Sequence, residues 1–117
     1  MPTTNSLAEA RADLVTDRAA TLRRIEALSG DVDAVIEAAS DVATDDEHDP
    51  EGATIAFERA RVGALLDQAR VHLTDIDDAL RRIDEGHYGV CEICRQSVGA
   101  ERLAARPVAR TCIDCAR

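Results

Sequence analysis

The sequence predicts an all-α protein: a long antiparallel helical hairpin (a coiled coil) followed by a small C-terminal four-cysteine zinc-finger module. Three observations support this prediction. Apolar residues recur at helical spacing along two long stretches. A short polar segment with a proline and a glycine separates those stretches, which is typical of a turn. All four cysteines lie beyond residue 90, in two Cys-x-x-Cys pairs.

The first helix is predicted over residues 5–42, where leucine, isoleucine and valine recur every three or four positions between charged residues. Asn5 or Ser6 can cap its N-terminus. Gly30 lies inside the pattern, and a glycine within a helix costs about 1 kcal/mol relative to alanine. We therefore expect a bend or local fraying at Gly30 and no true break.

The second helix is predicted over residues 54–85 and carries two apolar rows, each with a spacing of seven. Ile55, Val62, Ala69, Ile76 and Ile83 form the first row, and Leu66, Leu73 and Leu80 form the second. Two adjacent heptad rows make a seam for a partner helix. Gly86 follows the pattern at the position where a glycine commonly ends a helix.

Residues 43–54 are predicted to be the hairpin tip, with Pro50 and Gly52 as turn residues. The tip gathers five carboxylates: Asp45, Asp46, Glu47, Asp49 and Glu51. These are either ordinary turn and helix-cap residues or the end that a partner receives. Phe57 is expected to clamp this end of the hairpin. We expect the helices to pair within one chain, giving a monomer, although pairing between chains is the alternative.

Residues 1–85 are thus predicted to form the hairpin, and residues 86–117 a separate module with the spacing Cys91-x2-Cys94-x17-Cys112-x2-Cys115. Two such knuckles can hold one zinc ion tetrahedrally. Four protein ligands leave no position for water, so the zinc is expected to be structural. The alternatives are two unrelated reduced pairs, or a thiol switch that releases zinc on oxidation.

Composition disfavours several classes of protein. The formal net charge is −9, and all 14 basic residues are arginine, so a general nucleic-acid binder is not expected. Phe57 and Tyr88 are the only aromatic residues, which leaves no stacking platform for bases. We see no secretory signal and no membrane span, and therefore expect a cytoplasmic protein. A saturated metal site, without a phosphate loop or a nucleophile–base pair, argues against an enzyme.

Three stretches resemble the DksA/TraR family of zinc-finger transcription regulators. They are "YGVCEICRQSVGAERLAARPVARTCIDC" in the finger, "LRRIDEGHYGVC" in the helix that enters it, and "DPEG" in the acidic turn. The resemblance implies a hairpin that enters the secondary channel of bacterial RNA polymerase and brings acidic tip residues near the catalytic Mg²⁺. It also implies action without sequence-specific DNA binding, often together with the alarmone ppGpp. The family's tip has two Asp three residues apart, and here Asp49 takes the first place while Gly52 takes the second.

The predicted function is therefore a polymerase-binding transcription regulator that modulates initiation. Arg102, Arg106 and Arg110 form the best basic cluster. They either balance charge around the thiolates or dock an acidic rim of a partner, and contact with nucleic acid is the third alternative, disfavoured by the net negative charge. Two other functions stay open: a zinc-dependent redox or stress sensor, and a structural adaptor that offers its heptad seam to another helix.

Overall fold

The computed structural model describes the backbone of residues 4–42 and 50–116, and the side chains of residues 6–38 and 52–116. It contains three helices: α1 (Thr4–Val42), α2 (Pro50–Glu85) and the short α3 (Ala100–Ala105). In the described ranges there is no β-strand, only one isolated antiparallel bridge between Val90 and Ser97. The predicted all-α hairpin with a C-terminal four-cysteine cluster is confirmed.

Ion pairs show the antiparallel pairing of α1 and α2. Arg11 pairs with Asp84, and Arg18 Nε lies 2.7 Å from Asp77 Oδ1. The two pairs are seven residues apart on each helix and run in opposite directions. These pairs are exposed and screened by solvent, so they contribute little to stability, and their main effect is to fix the register.

One compact unit comprises Met1–Ala20 and Leu73–Arg117. Its core contains Leu14, Ile76, Ala79 and Tyr88, each at most 4% exposed. Half-buried residues from both helices and from the finger pack against this core: Leu7, Ala10, Leu80, Ile83, Leu103 and Val108. The finger therefore shares a core with the helix ends that carry it. The predicted boundary between residues 85 and 86 stays a prediction.

The second compact unit is Thr21–His72. Val62, Leu66 and Ala69 are buried here, which confirms that the two heptad rows of α2 face inward. The expected clamp at Phe57 is wrong, because this side chain is 71% exposed. The reason is its position: two residues beyond the inward-facing Ile55, it lies about 200° further around the helix, on the outer face.

The predicted turn residues Pro50 and Gly52 both belong to α2, which begins four residues earlier than the sequence suggested. A proline suits the first helical position, because its fixed φ is already helical and no partner is needed for its missing N–H. Glu51 lies in the first turn, and its side chain is outside the described set. The acids Asp45, Asp46, Glu47 and Asp49 also lie outside the described residues.

α2 ends as its sequence predicts. Gly86 has φ of +79°, and its N–H donates to Ile83 O at 3.2 Å, while His87 N–H donates to Arg82 O at 2.8 Å. This pair of bonds is a Schellman motif, which turns the chain sharply into the finger. At Gly30, α1 continues without a true break, as expected, while the expected bend or local fraying stays a prediction. None of the helices in the described residues is long and apolar enough to cross a membrane.

Candidate metal centre

The first knuckle is a tight turn closed by backbone hydrogen bonds. Cys91 N–H donates to Gln96 O at 2.7 Å, and Arg95 N–H donates to Cys91 O at 3.0 Å. Arg95 adopts φ of 65°, a left-handed conformation that residues other than glycine seldom take. This local strain lets the chain reverse immediately after Cys94. Both thiols of the knuckle are thereby brought to one side.

The second knuckle is built in a similar way and is tied to the first. Cys115 N–H and Ala116 N–H donate to Cys112 O at 3.2 and 3.0 Å. Glu92 N–H, inside the first knuckle, donates to Arg110 O at 3.0 Å, just before the second. The 17 residues between the knuckles therefore return the chain to its starting point.

All four predicted ligands meet. The sulfur atoms of Cys91, Cys94, Cys112 and Cys115 lie within 4.8 Å of one another, and Cys94 Sγ is 3.7 Å from Cys112 Sγ. A tetrahedral zinc with Zn–S near 2.3 Å requires sulfur–sulfur separations of about 3.8 Å. The cluster therefore fits one zinc ion, which these four side chains would hold in a closed, structural site.

The pKa shifts of the thiols show why a cation suits this cluster. The backbone N–H of Cys94 stabilises the Cys91 thiolate and lowers the pKa of Cys91 to about 6. The pKa of Cys115 is raised to about 12, mainly by hydrogen bonding to Cys112 and secondly by burial. One thiol thus ionises readily while another holds its proton, because several thiolates cannot share so small a volume unaided. A divalent cation removes that repulsion.

A second small core supports the metal centre from beneath. Cys91 is fully buried and packs with Val98 and Ala109, while Leu103 of α3 covers the same cluster. Cys94, by contrast, is exposed. The short helix α3 was not predicted from the sequence, because six residues are too few to show a helical period.

The three arginines predicted at the base have different surroundings. Arg110 bridges the finger to α2, with Nη2 3.1 Å from Asp75 Oδ1 and a second contact to Asp78. Arg102 Nε donates to Thr111 O at 2.8 Å, inside the finger. Arg106 is exposed. Asp75 and Asp78 were not predicted as partners of Arg110, although their i, i+3 spacing places both on one face of α2.

Tyr88 joins the finger to the helices. The residue is 4% exposed, and its hydroxyl donates to Pro107 O at 2.8 Å. Arg82 reinforces the same junction through a long 3.4 Å contact with Val108 O. Burial raises the pKa of Tyr88 above its ordinary value of 10.

A helical hairpin with a four-cysteine finger packed onto its helix ends defines a structural zinc-finger protein. Residues 86–117 match the family described as the prokaryotic dksA/traR C4-type zinc finger. The solved structure of the transcription factor DksA2 from Pseudomonas aeruginosa is similar over 97% of this chain and 82% of its own, with a TM-score of 0.76 and 25% sequence identity. The predicted resemblance to the DksA/TraR family is confirmed.

Sequence relatives support the same assignment over a shorter span. The protein YteA of Bacillus subtilis (strain 168) is 41% identical over 66 residues, which is 56% of this chain and 28% of YteA. The RNA polymerase-binding transcription factor DksA of Haemophilus influenzae is 39% identical over 49 residues, or 42% of this chain and 34% of its own length. The Escherichia coli (strain K12) protein of that name gives the same identity over 32% of its length. The matches thus span about a third of these relatives.

Proposed function

We propose that this chain binds bacterial RNA polymerase and regulates the initiation of transcription, without a catalytic activity of its own. The observation that carries the proposal is the likeness to DksA2 over 97% of the chain, which includes both long helices and the finger. The relatives named RNA polymerase-binding transcription factors match in sequence as well. A partner of this kind also implies a cytoplasmic location.

The proposal extends to the secondary channel of the polymerase and to the hairpin tip. Asp45, Asp46, Glu47, Asp49 and Glu51 would carry negative charge towards the catalytic Mg²⁺. Carboxylates near a divalent cation change its electrostatic environment and so the stability of the initiation complex. Gly52 stands where the family pattern has its second acid, so the adjacent carboxylates would supply the missing charge.

We assign docking to the finger end, with Arg106 as the principal contact among the three arginines. Arg102 and Arg110 already bond within the chain, whereas Arg106 is exposed and its side chain has no described partner. If ppGpp binds at the interface between the protein and polymerase, its phosphates would meet Arg106 first. Adding ppGpp to the binding reaction, with and without Arg106→Ala, tests this extension.

The experiment that tests the proposal is binding to core RNA polymerase, with a known secondary-channel occupant as competitor. We expect micromolar or tighter binding that the competitor abolishes. Binding without competition would move the docking site elsewhere on the polymerase. Absence of binding, together with unchanged transcript output on sensitive promoters, would overturn the proposal.

We further propose that the protein acts as a monomer. The inward row of α2 is already covered within one chain, since Val62 and Ala69 are 3% and 4% exposed and Ile76 is fully buried. Little of this seam is left for a second copy. Sedimentation equilibrium should therefore give the mass of one chain, 12.6 kDa, at concentrations of tens of micromolar. A dimer mass under these conditions would contradict the assignment.

A further inference from the structure

A groove of about 320 Å³ lies between the beginning of α1 and the finger, within a single compact unit. Its walls are apolar: Ala10 comes from α1, Leu103 from α3, and Pro107 from the segment that follows. Tyr88 also lines it and is held by the hydrogen bond to Pro107. The groove therefore belongs to the part of the finger that is fixed by a shared core.

The charged side chains that line the groove are both acidic. Glu9 and Asp13 lie one helical turn apart on α1, and no arginine is among the lining residues. The ion pairs of α1 with the end of α2 use Arg11 and Arg18, which leaves these two carboxylates without an ion pair to another described residue. Both acids are exposed, so their charge faces an incoming ligand.

We propose that this acidic groove receives an arginine or lysine side chain from a protein partner. The aliphatic stem of such a side chain would lie along the apolar walls while its cationic head reached the two carboxylates. The Cβ atoms of residues at i and i+4 on a helix are about 6 Å apart, so one guanidinium or ammonium group can reach both carboxylates. A nucleotide or another anion would be repelled by the same two charges.

The occupant is assigned to a protein because exposed carboxylates bind a free cation weakly. An isolated amine would bind only at millimolar concentrations, whereas a side chain that is already positioned by a larger interface loses little additional freedom on entering the groove. The identity of that protein rests on the proposed function, since polymerase is the partner proposed above. The chemistry of the groove can be tested without it.

The test is a titration of the full-length zinc-bound protein with N-acetyl-arginine amide, followed by amide chemical shifts. We expect saturable shifts for Ala10, Tyr88 and Leu103, with a Kd on the order of 10 mM. N-acetyl-citrulline amide, which has nearly the same shape without the charge, should bind at least about fivefold more weakly. Shifts of equal size with both compounds would overturn the proposal.

Two double variants test whether the arginine compound binds in the groove. Glu9→Gln with Asp13→Asn should weaken the arginine compound at least about fivefold. Glu26→Gln with Asp33→Asn is the matched control. It also removes one glutamate and one aspartate charge from the exposed surface of α1, but outside the groove, and should leave the affinity unchanged. Equal loss in both double variants would mean general attraction to an acidic protein, and the groove would then have no special role.

Measuring the polymerase affinity of the same variants distinguishes failure of this inference from failure of the proposed function. If both are right, Glu9→Gln with Asp13→Asn also lowers polymerase affinity severalfold, while the Glu26 and Asp33 control does not. If polymerase binds normally to the groove variant and the arginine compound gives no saturable shifts, the groove inference is wrong and the proposed function survives. If the compound binds but polymerase does not, the proposed function fails and the groove serves another basic partner.

Discussion

Tyr88 shows at the scale of one residue how the finger is attached. Its side chain belongs to the same buried core as Leu14 and Ile76, while its hydroxyl donates a hydrogen bond to Pro107 O in the finger. A phenylalanine would keep the ring but leave the Pro107 carbonyl without this donor. A part-buried hydrogen bond of this kind contributes about 1 kcal/mol.

The ionisation of Tyr88 should be displaced in the folded protein. Burial raises its pKa above 10, so folding favours the protonated form. Stability from this group is complete below the unfolded pKa of about 10 and is lost as pH rises through the folded value. Tyr88 is the only tyrosine, and the chain has no tryptophan, so near-ultraviolet absorbance reports it directly. We expect a midpoint above 10 in the native protein that falls to about 10 in urea.

Tyr88→Phe is the control for that titration. It should remove the absorbance change, lower the free energy of unfolding by about 1 kcal/mol at neutral pH, and reduce the loss of stability between neutral and alkaline pH. A native midpoint equal to the urea midpoint would show that the phenol is solvated, contrary to its 4% exposure.

At the scale of the elements, two glycines allow a matched comparison. A Cβ added at Gly30 or at Gly86 meets nothing within 4 Å, but only Gly86 has a positive φ, of +79°. Gly30→Ala should therefore stabilise the protein by about 1 kcal/mol through helix propensity. Gly86→Ala should destabilise it by about 1 kcal/mol, because alanine is strained in the left-handed conformation that ends α2. Urea unfolding of both variants measures the two effects, and changes of the same sign would contradict this account.

Removal of zinc should unfold the finger and leave the two long helices folded. The finger has little core of its own, so metal binding and folding are coupled there. Chelation should melt α3 and the knuckles, yet α3 has 6 residues against 39 and 36 in the two long helices. We expect helical circular dichroism to fall by only about a tenth, with lower thermal stability because Leu103 and Val108 leave the shared core. Zinc released with no change in the finger's amide spectrum would refute the coupling.

The elements also show which features the sequence could predict. Residues such as Val62 and Ile76 repeat every seven positions, and that period is set by helix geometry alone, so the inward face of α2 was found. The four cysteines were found because zinc fixes their spacing. The start of α2 at Pro50 was missed because proline and glycine serve turns and first helical turns equally well. The link from Arg110 to Asp75 was missed because it is 35 residues long and no local pattern encodes it.

For the whole molecule, charge is distributed unevenly along the sequence. Residues 43–54, the predicted tip, hold five carboxylates and no arginine, whereas residues 86–117 carry five arginines and three acids. If the protein acts on polymerase as proposed, an acidic tip and a basic finger would have different roles. Docking would depend on the finger, and the effect on transcription would depend on the tip. These two roles can be separated by variants that leave the described contacts intact.

Neutralising the tip should uncouple activity from binding. In the variant Asp45→Asn, Asp46→Asn, Glu47→Gln, Asp49→Asn and Glu51→Gln, polymerase affinity should stay within about twofold while the effect on transcript output is largely lost. Under the proposed function, contacts of the finger would hold the complex and the tip charge would act on the catalytic site. Arg106→Ala should do the reverse: affinity should fall about tenfold, and excess protein should restore the full effect. Arg106 is chosen over Arg110, whose loss would also break the bridge to α2. Binding and transcription assays on both variants test the division, and a tip variant that retains full activity would mean that the carboxylates are only turn and cap residues.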